Sequence, residues 1–165
     1  MNEQEEEFLH LANSIENLNS SWRILKEIVE VKSSPVLLNA AFQYALIEYS
    51  KPYRYSCGEV LNEKGKPKRY KLDAQFIPPD SLDLHKRITD ARDQLHAHSD
   101  LTLLEAKVYV CDSEYGKSVN YSRNIIHGTE ELKNINSILD LIEGTLDALY
   151  ERERQLKLKL PVNSA

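Results

Sequence analysis

The chain has 165 residues, of which 41% are hydrophobic and 28% charged, and this balance favours a single domain with a buried core. Its net charge of −5 gives no overall attraction to nucleic acid, so contact with RNA or DNA would need a local basic patch. The acidic start MNEQEEEF is unlike a secretory signal, no apolar stretch is long enough to cross a bilayer, and the two cysteines form no CxxC pair. We therefore expect a cytoplasmic protein with reduced cysteines and no membrane contact.

The first two segments have the patterns of helices. Apolar residues follow alternating steps of three and four from Phe8 to Val29, which predicts a long helix over about 4–32 with one apolar face. The sequence SSP breaks this helix, and Pro35 suits the first turn of another. The stretch PVLLNAAFQYALIEYS is apolar nearly all round and ends before Pro52, so we expect a second helix that is covered on more than one side.

Residues 51–79 show no sustained periodicity. Turn signals at Gly58, Gly65 and Pro67 predict a long loop, which is either a functional insert or a mobile segment. This segment holds the densest group of basic and aromatic residues in the chain. Its candidate RNA-binding residues, which would act through charge and stacking, are Lys66, Lys68, Arg69 and Tyr70. The alternative is a solvated loop tip, as most runs of charge are.

The second half of the chain predicts two more helices and a hairpin. Asp80 or Ser81 is expected to cap a third helix that runs to about His98. The stretch AKVYVCDSEYGKSVNYSR alternates around a turn and predicts a small β-hairpin. A final helix is expected after Gly128, with an apolar face from Ile135 onward.

Four helices with apolar faces predict an all-α fold, an up-and-down four-helix bundle. In this prediction a long loop joins helices 2 and 3, and the small β-hairpin precedes the last helix. Residues 1–160 would form one domain and residues 161–165 a flexible tail.

The stretch RDQLHAHSD at 92–100 holds the most concentrated set of reactive side chains. His96 and His98 are two residues apart and point about 200° apart on a helix, so they cannot chelate one ion there. Because the chain also lacks the spacings of known metal and nucleotide sites, we expect no metal and no cofactor. Arginine can grip a phosphate and histidine can transfer a proton near neutral pH, which together suffice for metal-independent cleavage of RNA.

Geometry sets a condition on that chemistry. Arg92 and His98 are six residues apart, which is about 120° around a straight helix and about 9 Å along it. They can act on one phosphate only if the helix loosens at its end or if two copies of the chain bring their helices together.

The pattern R-[DN]-x-x-x-A-H-x-D, read here from Arg92 to Asp100, resembles the signature of the HEPN superfamily, the higher-eukaryote and prokaryote nucleotide-binding domains. The ending AHSD is similar to the branch associated with abortive infection and toxin–antitoxin systems. The resemblance implies a helical bundle that acts as a metal-independent endoribonuclease, with RNA as substrate, a homodimer with a composite cleft and an antitoxin protein as a further partner. It also implies that Arg92 and His98 are the catalytic pair, with Asp93 as the orienting residue.

Two alternatives stay open at this point. His96 lies four residues after Arg92 and competes with His98 as the titrating group. The whole stretch is also compatible with the polar end of a helix in a non-catalytic module for dimerisation or protein interaction, since cations are favoured at helix C-termini.

Overall fold

The computed structural model describes residues 1–93, 106–122 and 129–161. Its helices are α1 (Glu3–Glu30), α2 (Pro35–Ser50), α3 (Leu82–Ala91) and α4 (Ile135–Lys157). Asn2 and Glu5 form a reciprocal cap at the start of α1, in which each side chain accepts a hydrogen bond from the other residue's backbone N–H. Ser34 caps α2, and Pro35 occupies its first turn as expected.

Helix α1 is the centre of the helical packing, since it contacts both α2 and α4 along its length. Each interface also carries a polar contact. The Ser21 hydroxyl donates to the carbonyl of Ala45 in α2 at 2.8 Å, and Nε1 of Trp22 donates to Glu143 in α4 at 2.7 Å. The fully buried apolar side chains of this core come from all four helices and include Leu18, Leu25, Phe42, Leu46, Ile88, Ile138, Leu141, Ile142 and Leu149.

The predicted all-α bundle is wrong, because the protein combines its helices with two small antiparallel sheets. Strands β1 (Ser56–Leu61) and β2 (Pro67–Tyr70) form a hairpin where a long loop was expected between helices 2 and 3. Short 3₁₀ turns precede and follow this hairpin, at Lys51–Tyr53, Ala74–Phe76 and Pro79–Ser81. The segment is therefore ordered in part by strand pairing, although it lacks the alternating pattern of a typical hairpin.

The second hairpin was expected, and it is present. Strand β3 (Lys107–Ser113) pairs with β4 (Gly116–Ser122) in a regular antiparallel register. Gly116 has φ of +110°, a conformation that glycine adopts without strain, and it lies where the chain turns into β4. Val108, Val110, Val119 and Tyr121 lie on one face of this hairpin and are exposed.

Helix α3 leads directly into the stretch RDQLHAHSD. Helix α3 ends at Ala91, and the backbone widens to a π-helical turn at Arg92 and Asp93. The expected extension of this helix to His98 and the expected tail at 162–165 lie outside the described residues. Among the helices that are described, none combines the length and apolar character needed to cross a lipid bilayer. The assignment of 1–160 to one domain stays a prediction.

Candidate functional site

Two arginines converge on one carboxylate at the end of α3. Nη1 of Arg92 donates to Oδ1 of Asp93 at 3.1 Å, and Nη2 of Arg54 contacts Oδ2 of the same carboxylate. Arg54 follows the 3₁₀ turn after α2, and its extended backbone directs the side chain toward α3, where Nη2 also reaches the carbonyl of Thr89 at 3.4 Å. The cluster of Arg54, Arg92 and Asp93, called the arginine pair site below, carries two positive charges against one negative charge.

The arginine pair site contains N–H groups that make no hydrogen bond in the described part of the chain. The Nε atoms of Arg54 and Arg92 are both buried, and neither has a hydrogen-bond partner in the described part of the chain. The side chains of Arg92, Asp93 and Arg54 are 25%, 36% and 42% exposed, so solvent and small anions can reach the cluster. Buried donors without partners are unusual in folded proteins, and guanidinium groups that keep free N–H groups are suited to binding phosphate.

A histidine lies on the same face of α3. His85, Thr89 and Arg92 follow steps of four and three, which places them along one stripe. Nδ1 of His85 is hydrogen-bonded to the Tyr49 hydroxyl at 2.7 Å, and its ring meets that of Tyr53 edge-on with centroids 4.4 Å apart. These contacts hold the imidazole in place.

The surroundings of His85 favour its neutral form. Burial lowers the pKa of His85, the carboxylate of Asp90 opposes this shift, and the positive charge of Arg54 adds to it. Burial and the neighbouring Tyr53 raise the pKa of Tyr49 far above its ordinary value, and burial raises the pKa of Tyr53 to about 12. Both phenols are therefore neutral, so His85, Tyr49 and Tyr53 can donate and accept hydrogen bonds near the arginine pair site without adding charge.

The structure places two of the four predicted catalytic residues together. Arg92 and Asp93 are in contact at the end of α3. The geometry between Arg92 and His98, on which the predicted chemistry depends, stays a prediction. His96 and His98 lie outside the described residues. Arg54 was not identified from the sequence, because its only signal was a positive charge within an aperiodic segment. His85 had a usable signal in its helical spacing to Arg92.

The predicted RNA-binding residues divide between the turn and the body of the first hairpin. Lys66 lies in the exposed turn before β2. Lys68, Arg69 and Tyr70 line a groove of about 800 Å³ between the N-terminal half of α1, β2 and the end of α4. Lys68 is ion-paired with Glu3, so part of its charge is already neutralised.

Tyr70 belongs to the contact that fixes the first hairpin to α1. Its hydroxyl donates to Oε2 of Glu6 at 2.8 Å, while Oε1 of Glu6 accepts the backbone N–H groups of Glu59 and Val60. Burial opposes ionisation of Glu6, but the hydrogen bonds from Val60, Tyr70 and Glu59 together hold the pKa of its carboxyl below the usual range. Burial and the same carboxylate raise the pKa of Tyr70 to about 12. Tyr70 is thus committed to a structural contact.

No group of three or more histidine, cysteine, aspartate or glutamate side chains is arranged to hold a metal ion within residues 1–93, 106–122 and 129–161. Comparison of the chain with protein-family models, with curated proteins and with solved structures finds no match. A function can therefore be inferred only from the chemistry of the described residues, chiefly the arginine pair site and the groove beside the first hairpin.

Proposed function

We propose that this protein is a metal-independent endoribonuclease that acts in the cytoplasm as part of a phage-defence or toxin–antitoxin system. The observation that carries the proposal is the convergence of the partly exposed side chains of Arg54 and Arg92 at the start of the stretch RDQLHAHSD. The spacing from Arg92 to His98, which resembles the HEPN signature, supports the same reading. RNA is the substrate, a second copy of the chain completes the cleft, and an antitoxin protein is a further partner.

The reaction follows from the groups at this site. A histidine takes the proton from a ribose 2′-hydroxyl, and the resulting oxygen attacks the adjacent phosphorus. The two guanidinium groups stabilise the negative charge that builds up on the phosphate oxygens. The bond from phosphorus to the 5′-oxygen breaks, an acid protonates that oxygen, and the products carry a 2′,3′-cyclic phosphate and a 5′-hydroxyl. We assign phosphate binding to Arg92 and Arg54 and proton transfer to His98, with His96 as the alternative.

Asp93 has a double effect in this scheme. It holds both guanidinium groups in place, which agrees with the orienting role that the resemblance implies. It also competes with phosphate for their N–H groups. Binding of RNA would therefore use the remaining Nη N–H groups or displace one of the two ion pairs, because the Nε atoms are shielded from solvent.

The test is RNA cleavage in EDTA by the wild type and by Arg92→Ala, Arg54→Ala, His98→Ala and His96→Ala. We expect each arginine substitution to lower the rate by about 100-fold, the effect of removing one group that stabilises transition-state charge. Arg87→Ala is the matched control, because Arg87 lies on the same helix but pairs with Glu131 at 2.6 Å. Equal rates for the wild type and Arg92→Ala would refute the proposal.

A non-catalytic interaction module is the second candidate, and one observation favours it. Both strands of the second hairpin expose their described side chains, and one face presents three valines and a tyrosine to solvent. Exposed apolar patches mark interaction surfaces. This candidate predicts no RNA cleavage by any variant and a change of oligomeric state on Val110→Asp, measured by light scattering.

A further inference from the structure

The groove beside the first hairpin has an unequal distribution of charge. It is lined by the cations Lys68, Arg69, Lys71 and Arg152 and by the acids Glu3, Glu7 and Asp73. Two of its cations are already paired, Lys68 with Glu3 and Arg152 with Glu7, the latter pair at 2.7 Å. Arg69 and Lys71 have no carboxylate within 4 Å in the described part of the chain. The uncompensated positive charge of the groove is therefore concentrated at these two residues.

Both free cations lie against one aromatic ring. The guanidinium carbon of Arg69 is 4.4 Å from the ring centre of Tyr55, and Nζ of Lys71 is 5.3 Å from it. Tyr55 is 58% exposed, so part of its side chain remains accessible to a ligand beside the two cations. An exposed aromatic ring beside two cations combines a stacking surface for a base with contacts for the phosphates on either side of it.

We propose that Tyr55, Arg69 and Lys71 form a binding site for single-stranded RNA, in which an unpaired base stacks on Tyr55 and the flanking phosphates contact the two cations. A duplex does not fit this description, because its bases are already stacked on each other. The proposal rests on the proposed function, since it names the form of RNA that the nuclease takes. It also replaces Lys68 and Tyr70, whose polar groups are occupied by Glu3 and Glu6, as the main contacts of the hairpin.

The position of Tyr55 connects this site to the arginine pair site. Arg54 is in an extended conformation, in which neighbouring side chains point to opposite sides of the backbone. Arg54 accordingly contacts Asp93, while Tyr55 contacts Arg69 and Lys71 in the groove. Two consecutive residues thus belong to the two sites, which lie on opposite sides of the backbone at this point.

The test is binding of the full chain to a fluorescein-labelled 2′-O-methyl oligouridine, followed by fluorescence anisotropy. This RNA lacks the free 2′-hydroxyl that cleavage needs, so binding is measured independently of catalysis. We expect the single strand to bind at least about 10-fold more tightly than a duplex of the same length. Tyr55→Ala should weaken binding by about 10-fold, within the range for loss of one base–aromatic stack, and Tyr55→Phe should restore it.

Two further variants identify the phosphate contacts. Arg69→Ala and Lys71→Ala should each weaken binding and lower the salt dependence, because each removes one phosphate contact. Lys64→Ala is the matched control, since Lys64 lies in the turn of the same hairpin but does not line the groove, and its affinity should stay within about 2-fold of wild type. Equal affinity for single strand and duplex, or unchanged binding by Tyr55→Ala, would overturn the proposal. A variant of the arginine pair site that loses cleavage but still binds the RNA would agree with the proposal. Binding of the RNA by a wild-type protein that cleaves none would contradict only the nuclease assignment.

Discussion

The two hairpins of this protein are built alike but are held very differently. Each consists of two short antiparallel strands, and neither belongs to a larger sheet in the described part of the chain. The first, β1–β2, is fixed to α1 by Glu6, whose carboxylate accepts three hydrogen bonds from it. The second, β3–β4, exposes its described side chains on both faces. A two-stranded hairpin is marginally stable by itself, so the first depends on its contact with α1.

This difference shows how the fold supports its candidate site. The contact between the first hairpin and α1 holds two features in place. One is the groove between α1 and β2, and the other is the start of β1. Pro52 is buried beneath this segment, and its carbonyl accepts the backbone N–H of Leu72 at 2.7 Å, which closes the segment at its base. Arg54 and Tyr55 lie between these fixed points. The second hairpin has no comparable role in the described structure, and its exposed apolar face suits an interaction instead.

The largest expected difference between the two regions is in core packing. Leu72 follows β2 and is 4% exposed, so Leu72→Ala should lower the free energy of unfolding by about 2–5 kcal/mol. Val110→Ala in β3 is the matched truncation in the second hairpin and should change it by no more than about 1 kcal/mol, because Val110 is exposed. Urea denaturation measures both. Similar losses in the two variants would contradict the contrast between an anchored and an exposed hairpin.

The next effect concerns the charge of Glu6. Because its pKa is lower in the folded than in the unfolded chain, the ionised carboxylate stabilises the fold above the ordinary glutamate pKa of about 4.3. That contribution is lost as the pH falls through the lowered value. Glu6→Gln should therefore melt below wild type at pH 7, and the gap should narrow at acidic pH.

Glu114→Gln is the control for this pH dependence, since Glu114 lies at the turn of the second hairpin. Its melting temperature should follow that of the wild type across the same pH range. A gap between Glu6→Gln and wild type that stays constant from pH 7 to pH 3 would show that the charge of Glu6 does not support the hairpin.

The smallest effect is the loss of a single hydroxyl. Tyr70→Phe removes one hydrogen bond to Glu6 and should lower the melting temperature by about 2–4 °C, the shift that a net hydrogen bond of ordinary strength produces in a domain of this size. Tyr121→Phe removes the equivalent group from the second hairpin, where the tyrosine is exposed, and should leave the melting temperature unchanged. A larger shift for Tyr121→Phe would reverse the comparison.

Local patterns in the sequence were sufficient for some elements and not for others. The three–four spacing of apolar residues identified α1, and Pro35 marked the start of α2. Alternation around Gly116 identified the second hairpin. The first hairpin was missed because its strands, SCGEVL and PKRY, hold few apolar residues and so show no alternating apolar pattern. Its register also shifts between Cys57 and Leu61. It also depends on Glu6, which lies 53 residues before Glu59.

Only some residues of the candidate site could be predicted from the sequence. Arg92 and Asp93 were identified because they begin the motif R-[DN]-x-x-x-A-H-x-D, which lies toward the predicted end of a helix. Arg54 was not, because its contact with Asp93 is made between distant parts of the chain and leaves no local spacing. Tyr55 and Lys71 were visible only as members of a basic and aromatic segment, and their proximity to Arg69 required the paired strands.

The most direct test of the central claim is the chemistry of the RNA ends that the protein produces in EDTA. Wild-type protein should leave 2′,3′-cyclic phosphate and 5′-hydroxyl ends, and both Arg54→Ala and Arg92→Ala should yield about 100-fold less of them, while Arg87→Ala matches wild type. The result that would contradict the account is the same ends in the same amounts from wild type and from both arginine pair variants, or no cleavage by the wild type at all.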